Sequence, residues 1–204
     1  MAKGDVPALV RLHAEVFKGY DNTMMGIGYL RGLYRVLSCH AACISIVALQ
    51  DGEIVGWIGG VWDWLSFQKA LIRRNIPGAP GILLSILKNR PGMLAQAFSF
   101  VRPVVCEFIQ KFKRRNVPDE RTPPSLEAAL LVVGVTPLHQ NRGVGQSMME
   151  GFNRLLWKKG FVASTVSTRI DNEPGNRAFQ KAGYRLYLAN GALNFYVKHL
   201  SGEN

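Results

Sequence analysis

The sequence predicts a protein of the α/β class, and three stretches carry that prediction. Leu130, Leu131, Val132, Val133 and Val135 form a short apolar run closed by Thr136-Pro137, then come a glycine-rich turn and apolar residues at helical spacing. Gln50-Asp51-Gly52-Glu53 and Asn190-Gly191 each stand between apolar runs, the signature of a β-hairpin. At 204 residues, about half of them hydrophobic, the chain is long enough to fill one core, so a single domain over 1–204 is expected.

Taken in order, Val6, Leu9, Val10, Leu12, Val16 and Phe17 recur at helical spacing, with Asp5 placed to cap and Gly19 to stop a first helix. Tyr29, Leu30, Leu33, Tyr34 and Leu37 share one face of a second helix over 27–37. Ala42 to Leu49 and Ile54 to Trp62 read as antiparallel strands joined at the Asp51-Gly52 turn. Trp57, Trp62 and Trp64 are divided between the two faces and are expected mainly in the core. Ile82 to Leu87 and Met93 to Phe112 read as helices in a segment interrupted by Pro77, Pro80, Pro91 and Pro103.

The Leu130 strand suits burial on both faces. The helix after it carries Met148, Met149, Phe152, Leu155 and Leu156 on one side and ends at Lys158-Lys159-Gly160, with cations in the last turn and a glycine beyond it. Phe161 to Arg169 alternates as a strand, a helix follows Asn172, and Arg185 to Ala189 with Leu193 to His199 make the closing hairpin.

The formal charge of +11 is uneven. Residues 66–125 hold eleven basic and three acidic side chains, a balance of +8. Within them Phe98 to Arg115 is amphipathic and basic. The open alternatives are an anionic membrane or glycan surface, a lid over a substrate pocket, and a solvated face. No nucleic-acid module accompanies the charge.

Cys39, Cys43 and Cys106 are too few and wrongly spaced for a zinc site or a disulfide framework; no metal is expected, and they read as buried thiols of a reducing compartment. The first residues lack the apolar core of a signal peptide and no stretch is long enough to span a bilayer, so a cytoplasmic protein, with peripheral membrane attachment as an alternative, is the expectation.

The turn Gln140-Asn141-Arg142-Gly143-Val144-Gly145 opens a helix, where free backbone N–H groups and the helix dipole favour a phosphate. It is not a Walker loop, because Gly145 is followed by Gln146-Ser147 with no lysine. Nor is it a dinucleotide fingerprint, since Met148 stands where a third glycine is required and no acidic residue lies near Ala163 to Val166.

With Val135-Thr136-Pro137 before it, the turn resembles the acyl-CoA loop of the GCN5-related N-acetyltransferases (GNAT), in which Arg or Gln is followed by Gly-x-Gly/Ala. Downstream, Asp171-Asn172-Glu173 leading to Phe179-Gln180-Lys181-Ala182-Gly183-Tyr184 is similar to that family's Asn…Tyr-Glu-Lys-x-Gly-Phe segment, with the asparagine-to-glycine spacing kept. The resemblance implies a central mixed, mostly antiparallel sheet flanked by helices, here with a helical insert, 66–125, before the strand that precedes the loop.

It also implies acetyl-CoA as cosubstrate. Backbone groups of Val133 and Val135 would hold the pantetheine and stabilise the oxyanion, and Gln140, Asn141, Arg142, Gly143, Val144, Gly145 and Gln146 would hold the phosphates. Asn172 and Phe179 would lie along the pantetheine arm, although Asn172 also reads as a helix cap. Phe17 to Met25 would border the acceptor pocket or form an ordinary loop.

Glu127 is the leading general base, ahead of Asp63 and His13. Phe179 stands where the family often has an acid tyrosine, so Tyr184, Tyr187 or water must replace it. The activity implied is transfer of an acetyl group to the primary amine of a small molecule. The Phe17, Gly28 to Tyr34 and Val55 to Gly60 pattern loosely resembles relatives acting on amino sugars. The alternatives are a CoA-binding regulatory protein without turnover and a protein acetyltransferase; a homodimer is compatible with either.

Overall fold

The computed structural model describes residues 1–89 and 127–201. The expected helix over 93–112, its basic amphipathic stretch and Cys106 lie outside them. The described residues divide into two compact units, one of Met1, 43–62 and 127–201, the other of 2–42 and 63–89.

The first unit is built on a six-stranded sheet of β1 (Cys43–Gln50), β2 (Glu53–Val61), β3 (Glu127–Val135), β4 (Ala163–Arg169), β5 (Arg185–Asn190) and β6 (Leu193–His199). Its order is β1-β2-β3-β4-β6-β5. Only β3 and β4 are parallel. The helix between them, Val144–Lys158, is numbered α6 below, and Glu173–Lys181 is α7. Parallel neighbours need such a crossover, which is why the long helix falls there.

The core of this unit lies between the sheet and α6. Met148, Met149, Phe152 and Leu156, four of the five residues of the stripe read from the sequence, pack with Ile44, Ile58, Ala128, Leu130 and Val166, while the fifth, Leu155, is exposed. Two glycines are set by close approach. A Cβ at Gly60 would lie 2.7 Å from the Ala129 carbonyl oxygen and against the Phe152 ring, and one at Gly134 would collide with the indole of Trp57. Trp57 is fully buried, Trp62 is half-buried against Phe161, and Trp64 is exposed, so only the first is a core tryptophan.

The second unit packs α1 (Val6–Val16) and α4 (Trp64–Asn75) on α3 (Ile27–Cys39), with α2 (Asp21–Met24) and α5 (Ala79–Asn89) completing it. Leu9, Val10, Leu30, Leu33, Tyr34 and Leu37 are buried, as their spacing predicts. Helix α4 has a local cause that the reading of Trp62-Asp63-Trp64 as a strand end obscures: the Asp63 carboxylate accepts the Ser66 N–H at 2.9 Å, a helix N-cap.

Four expectations need correction. Asp5 does not cap α1; its carboxylate takes the Ala2 N–H instead, tying off a single 3-10 turn over Lys3–Asp5. Pro80 does not break α5 but sits in its first turn, where a missing N–H loses no helical bond. The loop of the last hairpin is Gly191-Ala192, because Asn190 pairs with Leu193. Cys39 is exposed and Cys43 half-buried; Cys39 ends α3, and its thiol lies on the Arg35 carbonyl one turn back.

His13 is buried at 3% exposure, its Nδ1 2.7 Å from the Tyr34 hydroxyl and its ring 4.7 Å from that of Phe17. Nε2 is buried with no partner among the described residues. Burial therefore disfavours the imidazolium and pushes the pKa down to about 4.

Two outcomes follow for stability. Gly60→Ala forces a methyl onto a backbone oxygen that cannot rotate away and is expected to lower unfolding stability by about 1–3 kcal/mol in urea denaturation. Between about pH 6.5 and 4 the unfolded chain protonates His13 and the folded chain does not, so stability is lost as pH falls through that window. The loss amounts to roughly 3 kcal/mol. His13→Phe should flatten this part of a stability-versus-pH profile.

Candidate functional site

The parallel ladder of β3 and β4 is short. Glu127, Ala128, Ala129 and Leu130 pair with Ala163, Ser164, Thr165 and Val166, and there the pairing stops. Both strands continue, but with other partners: β3 stays on β2 as far as Val135↔Gly56, and β4 stays on β6 as far as Arg169↔Leu193. The sheet opens into a wedge between them.

A β-bulge marks the point of parting. Gly59 opposes Val132 and Gly60 opposes Leu130, leaving Leu131 as the extra residue. Ahead of it Ala128 and Leu130 point to α6; beyond it Val133 and Val135 do. One inserted residue has exchanged the faces of the strand.

The edge that β3 turns to the wedge follows from alternation. The Thr136 N–H donates to the Val55 carbonyl at 2.9 Å, so Thr136, Gly134 and Val132 direct their backbone groups to β2. Val133 and Val135 direct theirs the other way, into the opening. The Val135 carbonyl accepts the Gln140 side-chain amide at 3.1 Å. Both groups of Val133 and the N–H of Val135 are left facing the wedge, with no ladder partner on β4.

The wedge ends at the start of α6. Asn141 and Gly143 both have positive φ, 58° and 81°, and Gly143 is the N-cap with no side-chain cap of its own. Nothing stands within 4 Å of a Cβ built on Gly143, so its glycine is required by conformation rather than space. Gly145 rests over Val135, 3.5 Å from a built Cβ to Cγ2, which joins the helix start to the strand end. Asn141 and Arg142 are exposed, Val144 is half-buried against the core, and Gln146 donates to Glu150 at 3.1 Å.

The other predicted residues are placed as follows. Asn172 is the N-cap of α7: its Oδ1 accepts from Gly175 N–H at 3.2 Å and its Nδ2 donates to Thr168 Oγ1 at 2.8 Å, so the cap ties the helix to β4. Phe179 is buried, with Tyr184 and Tyr196 rings at 5.9 and 6.0 Å. The Tyr184 hydroxyl donates to Asn153 Oδ1 at 3.0 Å and lies 2.8 Å from Ser164 Oγ, and burial raises its pKa. Tyr187 is exposed on β5. Glu127 stands exposed at the closed end of the ladder, roughly 20 Å of strand from Val133.

Sequence reasoning missed Asn176. Its Nδ2 lies 2.8–3.1 Å from the carbonyls of Arg169, Ile170 and Asn172, while its Oδ1 accepts from Tyr196 OH at 2.7 Å and Asn194 at 2.9 Å. It fastens the turn leaving β4 to β6, and so holds the far arm of the wedge. The only signal was an amide four residues past the Asn172 cap.

No protein-family model and no curated protein sequence matches the chain. Solved structures do. SsHAT is 19% identical with a TM-score of 0.62 over 96% of this chain and 94% of its own. The PaiA N-acetyltransferase from Thermoplasma acidophilum, solved with coenzyme A, is 12% identical with a TM-score of 0.58 over 98% and 95%. The ribosomal-protein-S18-alanine N-acetyltransferase from Escherichia coli is 12% identical with a TM-score of 0.56 over 100% and 94%.

At these identities the likeness is one of architecture. The chain has the GNAT fold: a mixed, mostly antiparallel sheet flanked by helices.

Asn176→Ala is expected to lower stability by about 2 kcal/mol in urea denaturation, because it strips the donor from three carbonyls and the acceptor from a buried hydroxyl. Asn176→Asp should not restore it, as a carboxylate cannot donate.

Proposed function

We propose that the chain, as one acyltransferase domain, is an acetyl-CoA-dependent N-acetyltransferase of the GNAT superfamily. Its acceptor is the primary amine of a small molecule, with amino sugars the first class to test. The observation that carries this reading is the wedge itself, in which Val133 and Val135 turn backbone donors into an opening that runs to an uncapped helix N-terminus. A pantetheine arm needs such an edge of peptide groups, and a pyrophosphate such a helix start. The resemblance of the Gln140-to-Gly145 turn to the family's loop supports the same reading.

In the proposed reaction the neutral amine attacks the thioester carbonyl, the tetrahedral oxyanion forms against backbone N–H of Val133 or Val135, and its collapse breaks the carbon–sulfur bond and expels the CoA thiolate. Donors already fixed by a strand need no reorganisation at that step. Arg142 and Gln146 add side-chain donors near the phosphates, Gln140 secures the strand end that they approach, and Val144 seats the helix start in the core. Asn172 acts here by setting α7 against β4.

The amine proton passes to water: Glu127, the leading base by sequence, lies about 20 Å along β3 from Val133, beyond the reach of a single bridging water. The Tyr184 hydroxyl is committed within the core, so the thiolate is protonated by water. A protein amine is the second acceptor class; exposed, acid-poor surface in the second unit favours testing acidic peptides beside the small amines.

Acetyl-CoA binding by calorimetry and thiol release across amines, amino sugars and acidic peptides test the reading. Wild-type protein should bind, release thiol with one acceptor class, and lose binding at least tenfold in Gly143→Glu. Glu127→Gln should leave both acetyl-CoA binding and kcat within about twofold of wild type, since Glu127 stands at the far end of β3 from the wedge. Binding without release for any acceptor would establish a CoA-binding regulator instead, and absence of binding would end the assignment.

A further inference from the structure

Helix α5 buries one side and leaves an equally apolar side open. Ile82, Ser85 and Ile86 share the inward side; Ser85 donates to the Met24 carbonyl at 3.0 Å, and Ile86 is buried. On the opposite side Leu83, Leu84 and Leu87 occupy an arc of about 100°. They are 50, 67 and 48% exposed. Ile76, in the turn that leads into the helix, is 61% exposed. A surface helix of a soluble domain sets polar side chains there.

The rim of this patch is basic. Lys88 stands one turn after Leu84 at the edge of the arc, and Arg73 and Arg74, both exposed, close α4 just before Ile76. The sequence from Trp64 to Cys106 contains no aspartate or glutamate, while it holds Lys69, Arg73, Arg74, Lys88, Arg90 and Arg102. Apolar side chains projecting outward from a segment that carries cations and no acidic residue match an anionic bilayer in both respects.

We propose that α5 and the last turn of α4 dock on an anionic lipid surface. The three leucines enter the boundary between headgroups and acyl chains, and Arg73, Arg74 and Lys88 meet lipid phosphates. At 11 residues α5 extends about 16 Å, half the hydrocarbon thickness, so it lies in the interface and does not cross. A second copy of the chain would cover the leucines but would bring its own +11 against this one. A nucleic acid would meet the arginines and leave the leucines bare. The inference stands on the second unit alone and does not require the acetyltransferase reading.

Flotation of the full chain with vesicles tests it. Phosphatidylglycerol–phosphatidylcholine vesicles should carry the protein and pure phosphatidylcholine vesicles should not, with binding falling as salt rises. Leu84→Glu/Leu87→Glu should reduce partitioning at least tenfold and Arg73→Glu/Arg74→Glu should abolish the preference for anionic lipid, each with unchanged circular dichroism since the sites are exposed. Equal partitioning to neutral vesicles or indifference to the leucine variant would overturn the proposal. So would a dimer in sedimentation that the leucine variant disrupts.

Discussion

The interruption of one ladder, between Leu130↔Val166 and the next residue on either strand, is the constraint on which the rest of this fold depends. Parallel strands that remain paired expose no backbone, and a site made of backbone requires that they part. Two separate anchors make the parting stable. On one side β3 is held to β2 through Val135↔Gly56. On the other, β4 is held to β6 and the turn beyond it is bound by Asn176. Each strand keeps one full row of partners, so opening the wedge sacrifices only the bonds between the two.

The bulge at Leu131 is the means by which β3 can part from β4 and still serve the core. Without the extra residue, continued alternation would keep even-numbered positions on the α6 side, so Val132 and Gly134 would face the helix and Val133 and Val135 would be turned from it. The bulge reverses this, and a large aromatic then occupies the other face opposite Gly134, where Trp57 is fully buried. Packing on both faces thus fixes the register of the strand segment that borders the wedge. A slip by one residue would set the Trp57 indole against a valine side chain and withdraw the Val133 peptide groups from the opening at the same time.

The elements were legible where local chemistry and tertiary environment agree. The Asp51-Gly52 pair, the core residues Met148, Met149, Phe152 and Leu156, and the Gly143 turn each state their structure in residue types, and the turn's positive φ values explain why, whereas Asn190-Gly191 marks its hairpin but sets the loop one residue early. What was illegible had no such residue. Leu131 is one aliphatic among several, and the bulge that it forms arises from the partner strand, where Gly60 must lie beneath Phe152. Asn176 is an ordinary polar residue in an exposed-looking helix; its role arises from Tyr196 and Asn194, twenty and eighteen residues away. Asp63 was legible as a cap only once Trp62 and Trp64 were known not to continue the strand.

Phe179 ties the proposed chemistry to the packing. In this core the position is enclosed by Tyr184 and Tyr196, and a phenylalanine there adds apolar contact with no hydroxyl to satisfy. The polar work is moved one shell inward, to Tyr184, Ser164 and Asn153, whose bonds are made to one another. Such a network stiffens the contact between α6 and β4 and offers no proton to a departing thiolate. The acyl transfer proposed for this wedge would therefore rely on what the strand itself presents. Peptide donors stabilise developing negative charge without titrating, so in the proposed reaction their contribution would be independent of pH, and the proton inventory would fall to the amine and to water.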